Sequence, residues 1–177
     1  MNNLQVLRLT KIKTTVFVFT FTALSVLAPL AAHYFGGVAA GRLFLPMHFF
    51  VLAGALLLGW QAGLAIGVLT PLISYFLTGM PPAMVLPFVL IEVAAYGLLA
   101  GFFQQKFKNI WGSLIGALVL GRVILFAGLI LLSAKMPAMP YVLGAVKDGW
   151  RGIALQIILM PFAILTIKRF LDEKNSV

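Results

Sequence analysis

The sequence contains no cysteine, and only four of its 177 residues are acidic. Without cysteine there are no disulfides, no thiolate nucleophile and no cysteine-ligated zinc or iron–sulfur centre. The four carboxylates are Glu92, Asp148, Asp172 and Glu173, and the last two lie in the C-terminal tail, away from the others. The two histidines, His33 and His48, lack metal-ligand spacing. No G-x-x-x-x-G-K-[ST] loop occurs, so ATP hydrolysis by that machinery is excluded. No catalytic residue, metal or cofactor is therefore expected, and any energy must come from a partner or a gradient.

Charge as a whole is scarce: 10% of residues are charged and 62% hydrophobic, with a mean hydropathy of +1.08. Soluble domains carry about 25% charged residues. The chain reads as an integral membrane protein. A span needs about 20 apolar residues, which leaves room for about six helices and excludes a large extramembrane domain. The formal charge of +9 is accounted for by basic residues collecting in cytoplasmic loops, so no nucleic-acid partner is expected.

The sequence predicts one all-α transmembrane domain over residues 1–177, with helices at about 14–35, 43–59, 62–77, 83–103, 110–134 and 148–171. The first is too long for the apolar core of a signal peptide and is followed by more membrane, so it is read as retained. A Gly-rich loop (Gly36, Gly37, Gly41) precedes helix 2, and Trp60-Gln61 is read as a tight turn. Thr78 to Pro82 is a breaker cluster. Helices 2 and 3 are short for spans, which predicts packing inside a bundle or re-entrant borders. Residues 135–147, with Pro137, Pro140 and Tyr141, read as a loop that closes as a lid.

Arg8, Lys11, Lys13, Lys106, Lys108, Lys168, Arg169 and Lys174 fall on the side of the termini, against Arg42, Lys135, Lys147 and Arg151 on the other. That excess predicts cytoplasmic termini. Small residues four apart recur as Ala28/Ala32, Gly63/Gly67, Gly97/Gly101 and Gly112/Gly116. Such pairs let helix backbones approach closely, and internal packing is the first expectation for each.

A charge at membrane depth requires a partner, a wet cavity or a function. Glu92 in helix 4 and Arg122 in helix 5 have matching depths and are expected to be neighbours. They either lock the two helices together or bind a ligand, and the residues alone leave both readings open. His48, Arg42, Asp148 and Arg151 ring the outer mouth, where snorkelling would also account for each charge singly. Ser74, Tyr75 and Trp150 join that side, with Tyr96 and Gln156 deeper. Placed polar groups among aromatic and apolar walls are the usual form of a small-molecule site.

The segment Gly41-Arg42-Leu43-Phe44-Leu45-Pro46-Met47-His48, followed by Leu52-Ala53-Gly54-Ala55-Leu56-Leu57-Leu58-Gly59, resembles the substrate-capture subunits (S components) of energy-coupling factor (ECF) transporters. The likeness continues through Ala62-Gly63, Thr70-Pro71-Leu72, Thr78-Gly79-Met80-Pro81 and the run from Glu92 to Gly101, covering residues from about 15 to 170. The resemblance implies a six-helix multi-pass protein of a bacterial or archaeal plasma membrane. Such a subunit captures a vitamin or vitamin precursor from outside, while a scaffold membrane subunit and two cytoplasmic ATPases drive release inward. It also implies ligand contacts from Arg42, His48, Glu92, Tyr96, Arg122, Asp148 and Arg151. Ala28 and Ala32 match the Ala-x-x-x-Ala pair that docks on the scaffold subunit. Three arginines against two carboxylates in that set favour a ligand with an anionic or acceptor-rich group.

A second reading is a stand-alone proton-coupled carrier with Glu92 as the protonatable group. The absence of a visible internal repeat weighs against it. The scarcity of paired acids and metal ligands weighs against a membrane enzyme, and the polar cluster weighs against a passive assembly factor.

Overall fold

The computed structural model describes residues 5–7, 9–132 and 137–175, with residues 38–42 and 171–175 as backbone. Among the described residues there are six helices: α1 (Lys11–Phe44), α2 (Pro46–Leu58), α3 (Trp60–Thr78), α4 (Leu86–Phe107), α5 (Ile110–Leu132) and α6 (Ala138–Asn175). They form an all-α membrane bundle. Five helices are long and apolar enough to cross a membrane, and α2 is a shorter apolar helix.

The thirteen residues of α2 span about 20 Å at 1.5 Å per residue. Its residues Val51 to Leu57 are all buried, so its whole circumference is apolar and enclosed. A helix hydrophobic on every side belongs in the interior. The other helices surround it and turn large apolar side chains outward, among them Phe19, Tyr34, Phe76 and Leu131, as lipid contact requires.

The α3–α4 contact is built on glycine. A Cβ on Gly63 or on Gly97 would collide with the other residue's carbonyl oxygen, and one on Gly101 would collide with the backbone of Gly59 and Trp60. A Cβ on Gly67 would lie 2.6 Å from Val93 O. The antiparallel helices thus touch backbone to backbone along three successive turns. The expected internal packing of Gly63/Gly67 and Gly97/Gly101 is the arrangement found. Gly116 faces the Phe103 ring instead, and Gly112 meets only Asn109, at the start of its own helix.

Several boundaries differ from the sequence expectation. α1 continues past the expected Gly-rich loop to Phe44, with one break at Gly37 (φ 67°, ψ −174°). A single glycine absorbs the bend, and helical geometry resumes after it. The turn between α2 and α3 falls at Gly59 (φ 94°), so Trp60 and Gln61 already belong to α3, which at 19 residues is long enough to span. The largest difference is at α6. Residues 138–147, expected as a lid loop, are the first turns of a 38-residue helix. Pro140 lies in the first turn, where the missing N–H has no intrahelical acceptor to lose, so it starts the helix instead of breaking it. Lys135 lies outside the described residues.

Residues 5–7 and the last turns of α6 meet at one end of the bundle. Leu7 N–H donates to Leu57 O at 2.9 Å, and the buried Lys168 ammonium near the end of α6 donates to Gln5 O. The N-terminal segment therefore lies across the ends of α2 and α6.

Candidate functional site

At the opposite end, the junction between α1 and α2 is set by Pro46. Proline at the first helical position has no N–H to leave unpaired, and it disfavours right-handed helical geometry in the residue before it. Leu45 takes a left-handed conformation (φ 47°, ψ 48°). Its carbonyl accepts from His48 N–H at 3.1 Å and Phe49 N–H at 3.3 Å, and from Gln156 Nε2 on α6 at 3.4 Å. His48 is thereby fixed in the first turn of α2, facing α4.

Glu92 and Tyr96 are one turn apart on α4 and share a face. The Tyr96 hydroxyl donates to Glu92 Oε1 at 2.8 Å. Arg122 Nη1 on α5 reaches the same oxygen at 2.7 Å, and His48 Nε2 stands 3.9 Å from it. The His48 and Tyr96 rings meet edge to face with centroids 5.4 Å apart. Space for the phenol ring comes from α5: a Cβ on Gly121 would overlap it. Glu92 is only 7% exposed, so its charge is taken from solvent and balanced by the neighbouring guanidinium.

One turn outward from Glu92 and Arg122 lies an apolar layer. Phe88, Leu125 and Leu129 are buried there, with Ala138, Tyr141 and Val142 from the first turns of α6 packed on them. The Phe88 and Tyr141 rings are 6.4 Å apart. Lower on α6, Gly149 packs on the Leu45 side chain, and a Cβ at Gly152 would approach the Phe44 backbone to 2.7 Å. α6 thus closes over both the ion pair and the α1–α2 junction.

Several buried polar atoms have no hydrogen-bond partner here: both ring nitrogens of His48, Arg122 Nε and Gln156 Oε1. Buried polar groups are normally satisfied by protein, water or ligand. These four atoms are contributed by α2, α5 and α6. No group of three or more His, Cys, Asp or Glu able to hold a metal occurs among the described residues.

Of the residues singled out from sequence, His48, Glu92, Tyr96 and Arg122 come together. Asp148 and Arg151 do not join them: both are exposed on α6, and the Arg151 guanidinium lies 5.3 Å from the centroid of the Trp150 ring. Trp150 is itself 56% exposed, as an interfacial aromatic is. Arg42 lies in the last turns of α1, and its side chain is outside the described residues. Ala28 and Ala32 are half-buried on α1, with Pro29 between them inside the helix. Gln156, only 1% exposed, reads from sequence as a deep polar group beside the site but not as a ligand contact, and Gly121 is not singled out. The first carried a signal, being an amide at membrane depth; the second reads as one glycine among many. A cavity of about 340 Å³ lies elsewhere, at the end where residues 5–7 cross the bundle, lined by Gln5, Val6, Leu7, Leu58, Gln105 and Lys108.

No curated protein and no solved structure matches the chain. A family model described as the substrate-specific component of ECF transporters matches residues 9–169, nearly the whole length. The helical membrane bundle and this match agree, and the chain belongs to the ECF transporter substrate-specific component family.

Proposed function

We propose that this chain captures a small water-soluble vitamin or vitamin precursor at the bundle end opposite its termini, on the extracellular side of a bacterial or archaeal plasma membrane. A scaffold membrane subunit and two cytoplasmic ATPase subunits then drive release inward. The observation that carries the proposal is the buried assembly of His48, Glu92, Tyr96 and Arg122, with polar atoms left unmet beside it. An ion pair that served only to hold α4 to α5 gives no reason for unmet groups on α2 and α6. Its place beneath the packed start of α6 supports a site that opens and recloses around its ligand.

In this reading the mechanism is binding without chemistry. Glu92 holds Arg122 and Tyr96 in place, and His48, Arg122 and Gln156 present hydrogen-bonding atoms to the ligand. Arg42, Asp148 and Arg151 contribute at the rim, and Ala28 and Ala32 dock on the scaffold subunit.

The test is to purify the protein in mild detergent from cells grown in rich medium and identify retained small molecules by mass spectrometry, followed by calorimetric titration. A stoichiometric heterocycle supports the proposal, together with sharply weaker binding by folded Arg122→Ala protein. Failure to bind any member of a vitamin panel counts against it. Uptake into vesicles driven by a proton gradient without ATPase subunits favours the carrier reading.

A further inference from the structure

We infer that the ligand of this site is electrically neutral and carries both hydrogen-bond donors and acceptors, as an uncharged amide- or imide-bearing heterocycle does. The inference rests on the substrate-capture reading proposed above and assigns the chemical class of the substrate.

The first ground is charge. Among the described side chains, Arg122 is the cation facing the buried cluster, and its Nη1 is already engaged by Glu92 at 2.7 Å. The pair has no net charge. In a site of low dielectric, an anion or a cation brought against a pair already neutral adds a buried charge that the pair does not balance. The sequence expectation of an anionic or acceptor-rich group set three arginines against two carboxylates across the whole set, whereas the buried pair holds one of each. Arg151 lies against Trp150 on an exposed flank and adds nothing to the buried balance.

The second ground is the kind of atoms left unmet. Arg122 Nε offers a donor and Gln156 Oε1 an acceptor, and a neutral His48 ring offers one of each. Gln156 Nε2 donates to Leu45 O, and the amide oxygen is the Gln156 atom without a partner. A bare anion accepts from Arg122 and leaves the Gln156 oxygen and one His48 nitrogen unsatisfied. A molecule with two N–H or O–H hydrogens beside a carbonyl and a ring nitrogen, as a primary amide on a heterocycle has, satisfies all of them. A site built to hydrogen-bond such a group rejects an analogue lacking it far more strongly than an apolar wall rejects a methylene.

The test measures the binding of probes matched in shape and different in charge: nicotinamide, nicotinate and 1-methylnicotinamide, and riboflavin against riboflavin 5′-phosphate. Within each set the neutral member is expected to bind at least about tenfold more tightly than its charged counterparts. Tighter binding of a charged member overturns the inference while leaving substrate capture intact. If no member of either set binds while another compound of the vitamin panel does, the charge of that compound decides: a charged ligand overturns the inference and leaves capture intact. Failure of the whole panel removes the capture reading and the inference with it. Glu92→Gln provides an independent check, because it removes the internal counter-ion of Arg122. The anion-to-neutral affinity ratio is expected to rise by about tenfold or more in that variant. An unchanged ratio places the ligand away from the Glu92–Arg122 pair and overturns the inference.

Discussion

Arg122 Nη1 and the Tyr96 hydroxyl converge on one oxygen of Glu92, at 2.7 and 2.8 Å. One carboxylate oxygen therefore holds an arginine from α5 and a tyrosine from its own helix. Removing either charged member leaves the other buried without a counter-charge, which costs about 3–5 kcal/mol, whereas replacing both by neutral groups costs far less. Arg122→Met and Glu92→Gln are each expected to lower the melting temperature in detergent, and the double variant to recover much of the loss. Additive losses would show that the two side chains act independently.

The backbone contact between α3 and α4 predicts a sharp difference among glycines. Gly97→Ala forces the helices apart at the carbonyl of Gly63, an overpacking cost of about 1–3 kcal/mol or more. Gly112→Ala meets nothing closer than 3.7 Å, and it gains helix propensity of up to about 1 kcal/mol. Thermal unfolding of the two variants is expected to move in opposite directions.

Gly121 has a separate role, because its missing side chain is the space occupied by the Tyr96 ring. Gly121→Ala is expected to displace that ring and its hydrogen bond to Glu92 and to weaken ligand binding, although residue 121 has no polar atom to offer a ligand. Tyr96→Phe, which keeps the ring and loses the hydroxyl, is expected to weaken binding less. Titration calorimetry on both variants reads the order, and a larger loss from Tyr96→Phe contradicts it.

The N-terminal segment is tied down by the Leu7–Leu57 hydrogen bond. Hydrogen exchange in detergent is expected to show the Leu7 amide protected above that of Thr10, which sits exposed before the first turn of α1. Lys168→Met removes the donor to Gln5 O and is expected to reduce that protection. Equal exchange at residues 7 and 10 in the unaltered protein contradicts this account.

A cysteine-free chain allows topology to be read from single introduced cysteines. Lys147→Cys, exposed on α6, is expected to react with an impermeant maleimide added outside intact cells, and Lys106→Cys only after the membrane is opened. The reverse pattern inverts the orientation deduced from loop charge.

The all-α membrane class followed from long continuous apolar runs, because in lipid each such run satisfies its polar backbone groups within itself only as a helix. The buried charges were equally legible, since Glu92 and Arg122 stand out in apolar helices. Turn positions were harder. Pro140 reads as a breaker in a linear sequence, but its effect depends on where in a helix it falls, and it opens α6. Trp60 was displaced from the turn because Gly59 alone makes the bend.

The sequence by itself determined a membrane-spanning helical bundle, the depth of its ionisable groups and the family resemblance that the family match supports. Local patterns of hydropathy and charge decide those properties, and no distant contact is needed to read them. Tertiary structure alone decided that Glu92 is satisfied by Arg122 and Tyr96, that His48 on α2 stands beside them, and that Gln156 reaches the Leu45 carbonyl from 111 residues away. Hydropathy fixes how deep a residue lies but not which way around its helix it faces. That rotation is set by packing, here by the glycine contact of α3 with α4 and by the space that Gly121 leaves for Tyr96.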